Sequence, residues 1–288
     1  MTTRPDEYDG YTDLVFTTKN NRTIVDKLYY EGQSRVSARM PLVDEDTLCY
    51  YLIAMGGGLT EGEKYMIKIK LDPNSRVILS TQAPTYIYKC DNNKTTTQYT
   101  NIELGENSIL EYIPDDIIPY RNAKYEQDNT VHMAKGSTLL YTDGVTAGWS
   151  PDGNLFQYTN VHMRSRIYYD GSLVYNDNLI LDPHVYDLAD LGLFESSNNY
   201  SSLVAVDERI NEDFVHKVQQ YMQDTLHMNM GVSKLEGPAM VMRVLGPDLN
   251  HNREAIMYCV NYLRKELLNS PKLELHKDAS IYQHNYSI

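Results

Sequence analysis

Three acidic residues interrupt apolar stretches of this 288-residue sequence that otherwise have the composition of β-strands. Glu111 lies within Ile-Leu-Glu-Tyr-Ile, Asp143 follows Leu-Leu-Tyr-Thr, and Asp177 precedes Asn-Leu-Ile-Leu. A carboxylate in a strand with one buried face usually points to water. If several pointed inward, the cost of desolvation would require cations, basic partners or a water-filled passage. The sequence leaves both orientations open.

Two of these acids also allow an enzymatic interpretation. Asp143 and Asp177 could form the acid/base pair of a β-helix carbohydrate-active enzyme, which would need an open cleft rimmed by aromatic residues. Carboxylates placed along an enclosed channel would contradict that interpretation. The chain has 25 Tyr against 4 Phe and 1 Trp, and tyrosine is common at protein interfaces. A passive protein-binding module, with every acid facing outward, is therefore a third possibility.

Common catalytic and nucleotide-binding motifs are absent. The sequence has no Walker A motif, no H-E-x-x-H, no G-x-S-x-G and no C-x-x-C pair. The one glycine-rich segment, 56–63, contains Gly57, Gly58 and Gly62. A strand rather than a helix is predicted to follow it, and two carboxylates crowd it, which disfavours phosphate binding. We expect several of these glycines to adopt positive φ.

The amino-acid composition restricts the cellular compartments and the classes of binding partner that we expect for this chain. The three cysteines, Cys49, Cys90 and Cys259, are odd in number and far apart, which favours a reducing compartment. The N-terminus lacks the apolar region of a secretory signal, and no run of 18 apolar residues occurs. The net charge of -13 repels phosphate backbones. We therefore expect a cytoplasmic protein without nucleic-acid or membrane partners, and without a tight metal site.

The pattern of residues 11 to about 205 predicts a succession of short strands and a mainly β fold. β-branched and aromatic segments recur about every ten residues between Asp-, Asn- and Gly-containing turns. Asp170-Gly171 lies between two such segments and predicts a hairpin. No helical period separates the strands, which indicates a stack, sandwich or β-helix. The predicted strand segments include 24–30, 49–53, 65–71 and 76–81.

After Asn211 the periodicity becomes helical. Apolar residues recur at helical spacing from Phe214, with Asn211 as the predicted N-cap and Gly231 as the predicted end of the first helix. An apolar strand at 239–246 and a second helix at about 250–268 follow. The chain should therefore end in a small helix–strand–helix portion. Residues 279–288 are expected to form a disordered tail. The apolar face predicted for the second helix consists of Ile256, Cys259, Val260, Leu263 and Leu267.

Several motifs, in order, resemble those of the UreD (UreH) family of urease accessory proteins. Segment 57–63 is similar to the family's G-G-x-x-x-G-D loop, with Glu63 in place of the Asp. Segment 81–88 is similar to T-T-Q-A-x-[ST]-K-[VIF]-Y, with Tyr86 in place of the Lys. Segment 110–114 matches L-E-[WY]-[LI]-P. The resemblance runs from about residue 11 to 268.

This resemblance implies a fold and a function. UreD-like proteins are elongated β-helical scaffolds, so residues 1–278 should form one domain with a β body at about 11–205 and a helical portion at about 206–270. The family is not enzymatic. It binds apo-urease together with UreF and the GTPase UreG, and nickel is delivered while carbon dioxide carbamylates the active-site lysine. A water-filled tunnel through the scaffold is the proposed route. Nickel would be transient, with no tightly bound cofactor. The family's tunnel positions fall here on Glu63, Thr85, Asp143 and Asp177.

Overall fold

A computed structural model describes residues 7–42, 47–275 and 277. About half of these residues lie in β-strands, and two α-helices follow near the C-terminal end. The strands are β1 (Gly10–Lys19), β2 (Arg22–Gly32), β3 (Ser34–Val36), β4 (Leu48–Ala54), β5 (Gly58–Leu59), β6 (Lys64–Leu71), β7 (Arg76–Thr81), β8 (Thr85–Ile87), β9 (Thr96–Leu104), β10 (Ile109–Ile113), β11 (Ile117–Pro119), β12 (Lys124–Met133), β13 (Thr138–Thr146), β14 (Asn160–Tyr169), β15 (Ser172–Leu181), β16 (Asn199–Val206), β17 (Asn229–Lys234) and β18 (Ala239–Gly246). The helices are α1 (Glu212–Thr225) and α2 (Leu249–Leu268).

From β4 to β14, and leaving aside the short strands β5, β8 and β11, successive strands alternate between two stacked sheets, as in a β-helix. The seven-stranded sheet has the order β15-β14-β12-β9-β6-β1-β2, and β14, β12, β9, β6 and β1 run parallel. The eleven-stranded sheet contains β17-β18-β16-β13-β10-β7-β4-β3, in which β4, β7, β10 and β13 are parallel. The short strands β5, β8 and β11 pair in parallel and form a third wall. The predicted mainly β, β-helix-like class is confirmed.

Antiparallel strands close both ends of the coil. At one edge of the seven-stranded sheet β2 pairs antiparallel with β1, and at the other edge β15 pairs antiparallel with β14. The β14–β15 hairpin turns at Asp170-Gly171, as predicted, and both residues have positive φ. Asp and Gly suit this turn because both tolerate the left-handed conformation. β16, β18 and β17 extend the eleven-stranded sheet beyond the parallel coil.

Apolar side chains form two clusters between the sheets and a third beneath the helices. The larger inter-sheet cluster includes Leu14, Ile69, Leu79 and Val131, and the smaller one includes Tyr125 and Val161 at the third wall. The third cluster joins the outer face of the eleven-stranded sheet to α1 and α2. The five residues predicted for the apolar face of α2 are all buried in that cluster. Three buried apolar layers therefore hold the sheets and helices together.

The first helix begins where predicted and ends earlier than predicted. The Asn211 side chain caps α1 by accepting a hydrogen bond from the backbone N–H of Phe214 at 2.9 Å. α1 ends at Thr225, and Gly231 lies within β17, so the assignment of Gly231 as the helix end was wrong. Polar and apolar residues alternate over Asn229–Lys234, a period that suits a strand paired with β18. The predicted tail at 279–288 lies outside the described residues.

A buried ion pair fixes α2 to the eleven-stranded sheet. Glu111 of β10 points to the helix side of that sheet, in register with Ile78 and Leu140. Its carboxylate accepts hydrogen bonds from Nη1 of Arg264 on α2, and both side chains are at most 1 % exposed. Arg76 lies 3.8 Å from the same carboxylate. Glu111 is thus directed away from the space between the sheets.

Candidate functional site: a polar belt between the sheets

Polar side chains form a belt between the two inter-sheet apolar clusters. On β12 the inward positions run from Tyr125 through Gln127 and Asn129 to Val131 and Met133, so two amides separate apolar residues. Register pairing places Thr100 and Ser165 on either side of Asn129. The belt therefore crosses several strands at one level of the coil. On the facing sheet its members are Asp143, Ser202 and Arg243, which are paired in register on β13, β16 and β18.

The belt borders an internal cavity of about 280 Å³. Gln127, Asn129 and Asp143 line one side of this cavity, and Thr85 lines another. The buried Oδ1 atom of Asn129 has no hydrogen-bond partner among the described residues. A cavity of this size with polar walls is large enough for several water molecules. Water or a cation within the cavity could therefore satisfy that oxygen.

Asp143 is the carboxylate at the centre of the belt. Its Oδ2 accepts hydrogen bonds from Gln127 Nε2 at 2.8 Å, Tyr141 OH at 3.1 Å and Ser165 Oγ at 3.3 Å. Its Oδ1 accepts one from the Gly144 backbone at 3.0 Å. Burial raises the pKa of Asp143 to about 6, although these hydrogen bonds oppose the rise. Within the part of the chain that the structure describes, its hydrogen-bond donors are all neutral, so the charge lacks a full counterion there.

We expect Asp143 to titrate near pH 6 rather than near its ordinary value of 3.8. Between these values the folded chain keeps a proton that the unfolded chain has lost. The contribution of this group to stability is therefore greatest below pH 3.8 and is lost as the pH rises through about 6. NMR titration of ¹³C-labelled aspartate carboxyls should show a resonance with this midpoint that is absent from Asp143→Ala. If the resonance that disappears in Asp143→Ala instead titrates near pH 3.8, the expectation of a raised pKa for Asp143 would be contradicted.

Asp177 lies at the edge of the belt, where it meets solvent. It is the register partner of Ser165, whose hydroxyl also reaches Asp143. Its Oδ1 accepts a hydrogen bond from Arg243 Nη2 at 3.1 Å across the inter-sheet space. The Asp177 and Arg243 side chains are 25 % and 51 % exposed. Asp177 and Asp143 thus occupy outer and inner positions on one polar path.

Thr85 and part of the glycine-rich segment also line the cavity. Thr85 is the first residue of β8, and Gly57 and Gly58 also line the cavity. Gly57 is exposed, so the cavity approaches the surface there. Positive φ occurs at Gly56, Gly57 and Gly62. Gly58 is extended and is required for another reason: a Cβ there would lie 2.5 Å from the Tyr86 carbonyl oxygen.

Glu63 does not line the cavity itself. Its Oε2 accepts hydrogen bonds from the backbone N–H of Thr60 at 2.8 Å and from the hydroxyl of Tyr65 at 2.6 Å. Tyr65 lines the cavity. Burial and the hydrogen bond to Glu63 raise the pKa of Tyr65. Of the four residues predicted for a conduit, Thr85 and Asp143 border the cavity, Asp177 lies at the belt edge and Glu63 lies behind Tyr65.

Sequence reasoning missed the amides and one acid of this site. Gln98, Gln127 and Asn129 line the cavity, and so does Asp115 in the connection between β10 and β11. The signal for the amides was the alternation in Tyr125–Met133, whose inward positions contain Gln and Asn between apolar residues. Asp115 carries no comparable signal, because it lies outside a strand.

Soft metal ligands do not gather near the belt. Within the described parts of the chain, no group of three or more His, Cys, Asp or Glu residues could hold a metal ion together. Cys49, Cys90 and Cys259 are buried, unpaired thiols. Burial raises the pKa of Cys49 to about 11 and that of Cys259 to about 12, so neither is a thiolate at neutral pH. The donors of the belt are therefore carboxylate, amide and hydroxyl groups.

The helices were also compared with the requirements of a membrane span. Among residues 7–42, 47–275 and 277, no helix is both long and apolar enough to cross a membrane.

Comparison with known proteins identifies the family of this chain. The family model described as UreD urease accessory protein matches residues 8–277. The urease accessory protein UreD of Streptococcus salivarius (strain 57.I) is 42 % identical over 273 residues, covering 94 % of this chain and 97 % of that protein. The UreD of Lachnoclostridium phytofermentans is 33 % identical over 258 residues, covering 89 % and 94 %. That of Ureaplasma urealyticum serovar 10 is 32 % identical over 272 residues, covering 93 % and 94 %. The chain belongs to the UreD family of urease accessory proteins, a family of accessory rather than catalytic proteins.

Proposed function

We propose that this chain is a urease maturation scaffold that binds apo-urease together with UreF and UreG and passes nickel along the polar belt to the urease active site. The observation that carries the proposal is the position of Asp143: a carboxylate without a full counterion beside an internal cavity of about 280 Å³. The desolvation of such a group would be offset by a cation beside it. The family supports the accessory role.

The chemistry of the belt suits a cation in transit. Carboxylate, amide and hydroxyl oxygens are hard donors that bind nickel less tightly than imidazole or thiolate would. Oxygen donors would therefore allow nickel to move on. Asp177 is open to solvent at the belt edge. Asp143 follows it inward, and Thr85 also borders the cavity. In this proposal Glu63 orients the Tyr65 hydroxyl at the wall instead of contacting nickel directly.

The charge and the cysteines support two further parts of the proposal. A net charge of -13 attracts cations from solution toward the chain. Three unpaired thiols fit a reducing compartment, so we place the protein in the cytoplasm. The carbohydrate-active alternative is set aside, because the family is an accessory family and Asp143 borders an internal cavity. A passive binding role remains the competing explanation.

Co-purification tests the scaffold role. We expect the untagged chain to be retained on tagged apo-urease when the two are expressed with UreF and UreG. Urease that already carries nickel should retain much less of it. Retention should be equal for the wild-type chain and for variants of the belt, because the belt lies between the sheets. Failure of the chain to co-purify with apo-urease in the presence of both partners would contradict the proposed function.

A further inference from the structure

The eleven-stranded sheet has an opening where β10 ends at Ile113 and β11 begins at Ile117. Pro114 and Asp115, in this opening, border the belt cavity and also border a second cavity of about 30 Å³ beneath α2. Asp116 and Thr142 line only the second cavity. The two cavities therefore share Pro114 and Asp115 as a common wall.

The ammonium of Lys277 occupies this opening. Lys277 Nζ lies 2.7 Å from Asp115 Oδ2 and 2.9 Å from Ser80 Oγ. The hydroxyl of Thr81 donates to the same carboxylate oxygen at 3.0 Å. The Lys277 and Asp115 side chains are only 1 % and 7 % exposed. One carboxylate oxygen and one hydroxyl oxygen thus contact the ammonium, and both are donor types that also bind inorganic cations.

A segment outside the regular elements carries this lysine. Residues 269–275, which follow α2, lie outside the helices and strands, and α2 holds them through Arg264 Nε, which donates to the Pro271 carbonyl at 3.0 Å. Asn261 Oδ1 accepts a hydrogen bond from the Leu273 backbone at 2.7 Å. Burial lowers the pKa of Lys277, because an ammonium loses its hydration there. The ion pair with Asp115 offsets that cost only while the segment remains in place.

We propose that Lys277 is a tethered cation that closes a second exit from the belt cavity, at a cation site formed by Asp115, Ser80 and Thr81. This inference rests on the proposed nickel route and adds its regulation. While the ammonium occupies the site, a divalent cation in the belt cavity is repelled from the opening. Arg253 of α2 lines the second cavity and adds positive charge on the far side. Withdrawal of Lys277 would connect the belt cavity with the α2 side of the sheet.

Nickel binding by the isolated full chain tests this site. Lys277→Met keeps most of the side-chain volume and removes the charge, whereas Lys277→Arg keeps the charge. Calorimetric titration with Ni²⁺ should reveal one additional nickel site in K277M. Nickel should bind this site at least about tenfold more tightly than it binds the same position in the wild-type chain or in K277R. Adding Asp115→Asn to K277M should remove it. A folded K277M with the same nickel binding as the wild-type chain would overturn the proposal.

A second measurement uses the wild-type chain, in case K277M does not fold. Acetylation of lysines by acetic anhydride, followed by mass spectrometry, compares Lys277 with Lys265, whose side chain is 79 % exposed. Without metal, Lys277 should react at least about tenfold more slowly, because its amine is buried and ion-paired. Excess Ni²⁺ should accelerate its acetylation relative to Lys265 by competing for Asp115. A ratio that nickel leaves unchanged would overturn the proposal.

These results separate the two proposals. If belt variants impair nickel delivery but neither Lys277 measurement responds to nickel, only the closure at Asp115 is wrong. If belt variants activate urease normally, the route itself is wrong, whatever the behaviour of Lys277.

Discussion

Replacing both Asp143 and Asp177 with alanine is expected to lower the nickel content of matured urease at least about tenfold. A carboxylate attracts a unit positive charge 4 Å away by about 4 kcal/mol at the effective dielectric constant near a protein surface, and the double substitution removes two such carboxylates. Both acids lie on the polar belt, one beside the cavity and one at its solvent edge. The measurement is metal analysis of urease purified after expression with this variant and the other accessory proteins, together with its specific activity.

Folding and partner binding should survive this double substitution. The Asp143 carboxyl has a pKa raised by burial, so its removal relieves a desolvation cost. Arg243, which loses the Asp177 partner, is 51 % exposed and can be hydrated. The matched control is Asp26→Ala with Asp224→Ala, which removes two exposed carboxylates far from the belt in sequence. Normal nickel content with D143A/D177A, while the variant remains bound to urease, would exclude the conduit and favour a passive scaffold.

Replacing Arg264 with methionine should lower the free energy of unfolding by about 3 kcal/mol or more, because breaking a buried pair leaves the desolvation of the Glu111 carboxylate less fully offset. Glu111 is fully buried, and its other ion-pair contact at this site, Arg76, lies 3.8 Å away. The same substitution removes the donor to the Pro271 carbonyl, which helps to hold the segment that leads to Lys277. Urea denaturation followed by circular dichroism measures the change.

Two controls make that result specific. Lys265→Met changes the neighbouring residue of the same helix, whose side chain is 79 % exposed, and should alter the free energy of unfolding by at most about 0.5 kcal/mol. Arg264→Met combined with Glu111→Leu removes both charges and should recover most of the lost stability, because apolar replacements of a buried pair are often neutral. A single R264M variant as stable as K265M would show that the pair contributes little.

The D143A/D177A and R264M variants test two carboxylates, Asp143 and Glu111, that look alike in the sequence. Glu111 and Asp143 each interrupt an apolar strand segment, but Glu111 is fully buried whereas Asp143 is half-buried beside the cavity. Glu111 faces α2 and is neutralised by Arg264, so we expect it to affect stability. Asp143 faces the other sheet and is held only by neutral donors, so we expect it to affect cation passage. Glu111 lies on the α2 side of the sheet and is fully buried with Arg264, so it does not border the belt cavity.

Two of the buried tyrosines donate hydrogen bonds to the polar belt, a role that the composition alone did not indicate. Tyr125 and Tyr141 are buried between the sheets, with their hydroxyls at the level of the belt. Tyr125 donates to Gln127 at 3.1 Å, and Tyr141 donates to Asp143 at 3.1 Å. Phenylalanine could fill the same volume, but it could not donate to the amide and the carboxylate. Part of the tyrosine excess is therefore explained by a core that borders polar groups.

Local pattern in the sequence determined the strands, the hairpin and the helices. Segments rich in β-branched and aromatic residues predicted β6 and β7, Asp170-Gly171 predicted the turn, and the spacing of Ile256 to Leu267 predicted the buried face of α2. These features depend on residues close together in the chain, so short-range periodicity is sufficient. Gly231 was misassigned because glycine is common both after helices and within weak strands, and the pairing of β17 with β18 decides between them.

The direction in which each acid points required the tertiary structure. Period-two alternation places Glu111 on one face of β10 and Asp143 on one face of β13, but it does not say which face meets the helices and which meets the second sheet. Stacking of successive coils brings Asn129, Ser165 and Asp143 to one level from three strands. Lys277 reaches Asp115 across 162 residues of sequence. The sequence by itself determined which residues could carry charge in a β scaffold. Only the tertiary structure decided which charges are neutralised and which face the cavity, because burial and counterions depend on contacts between distant segments.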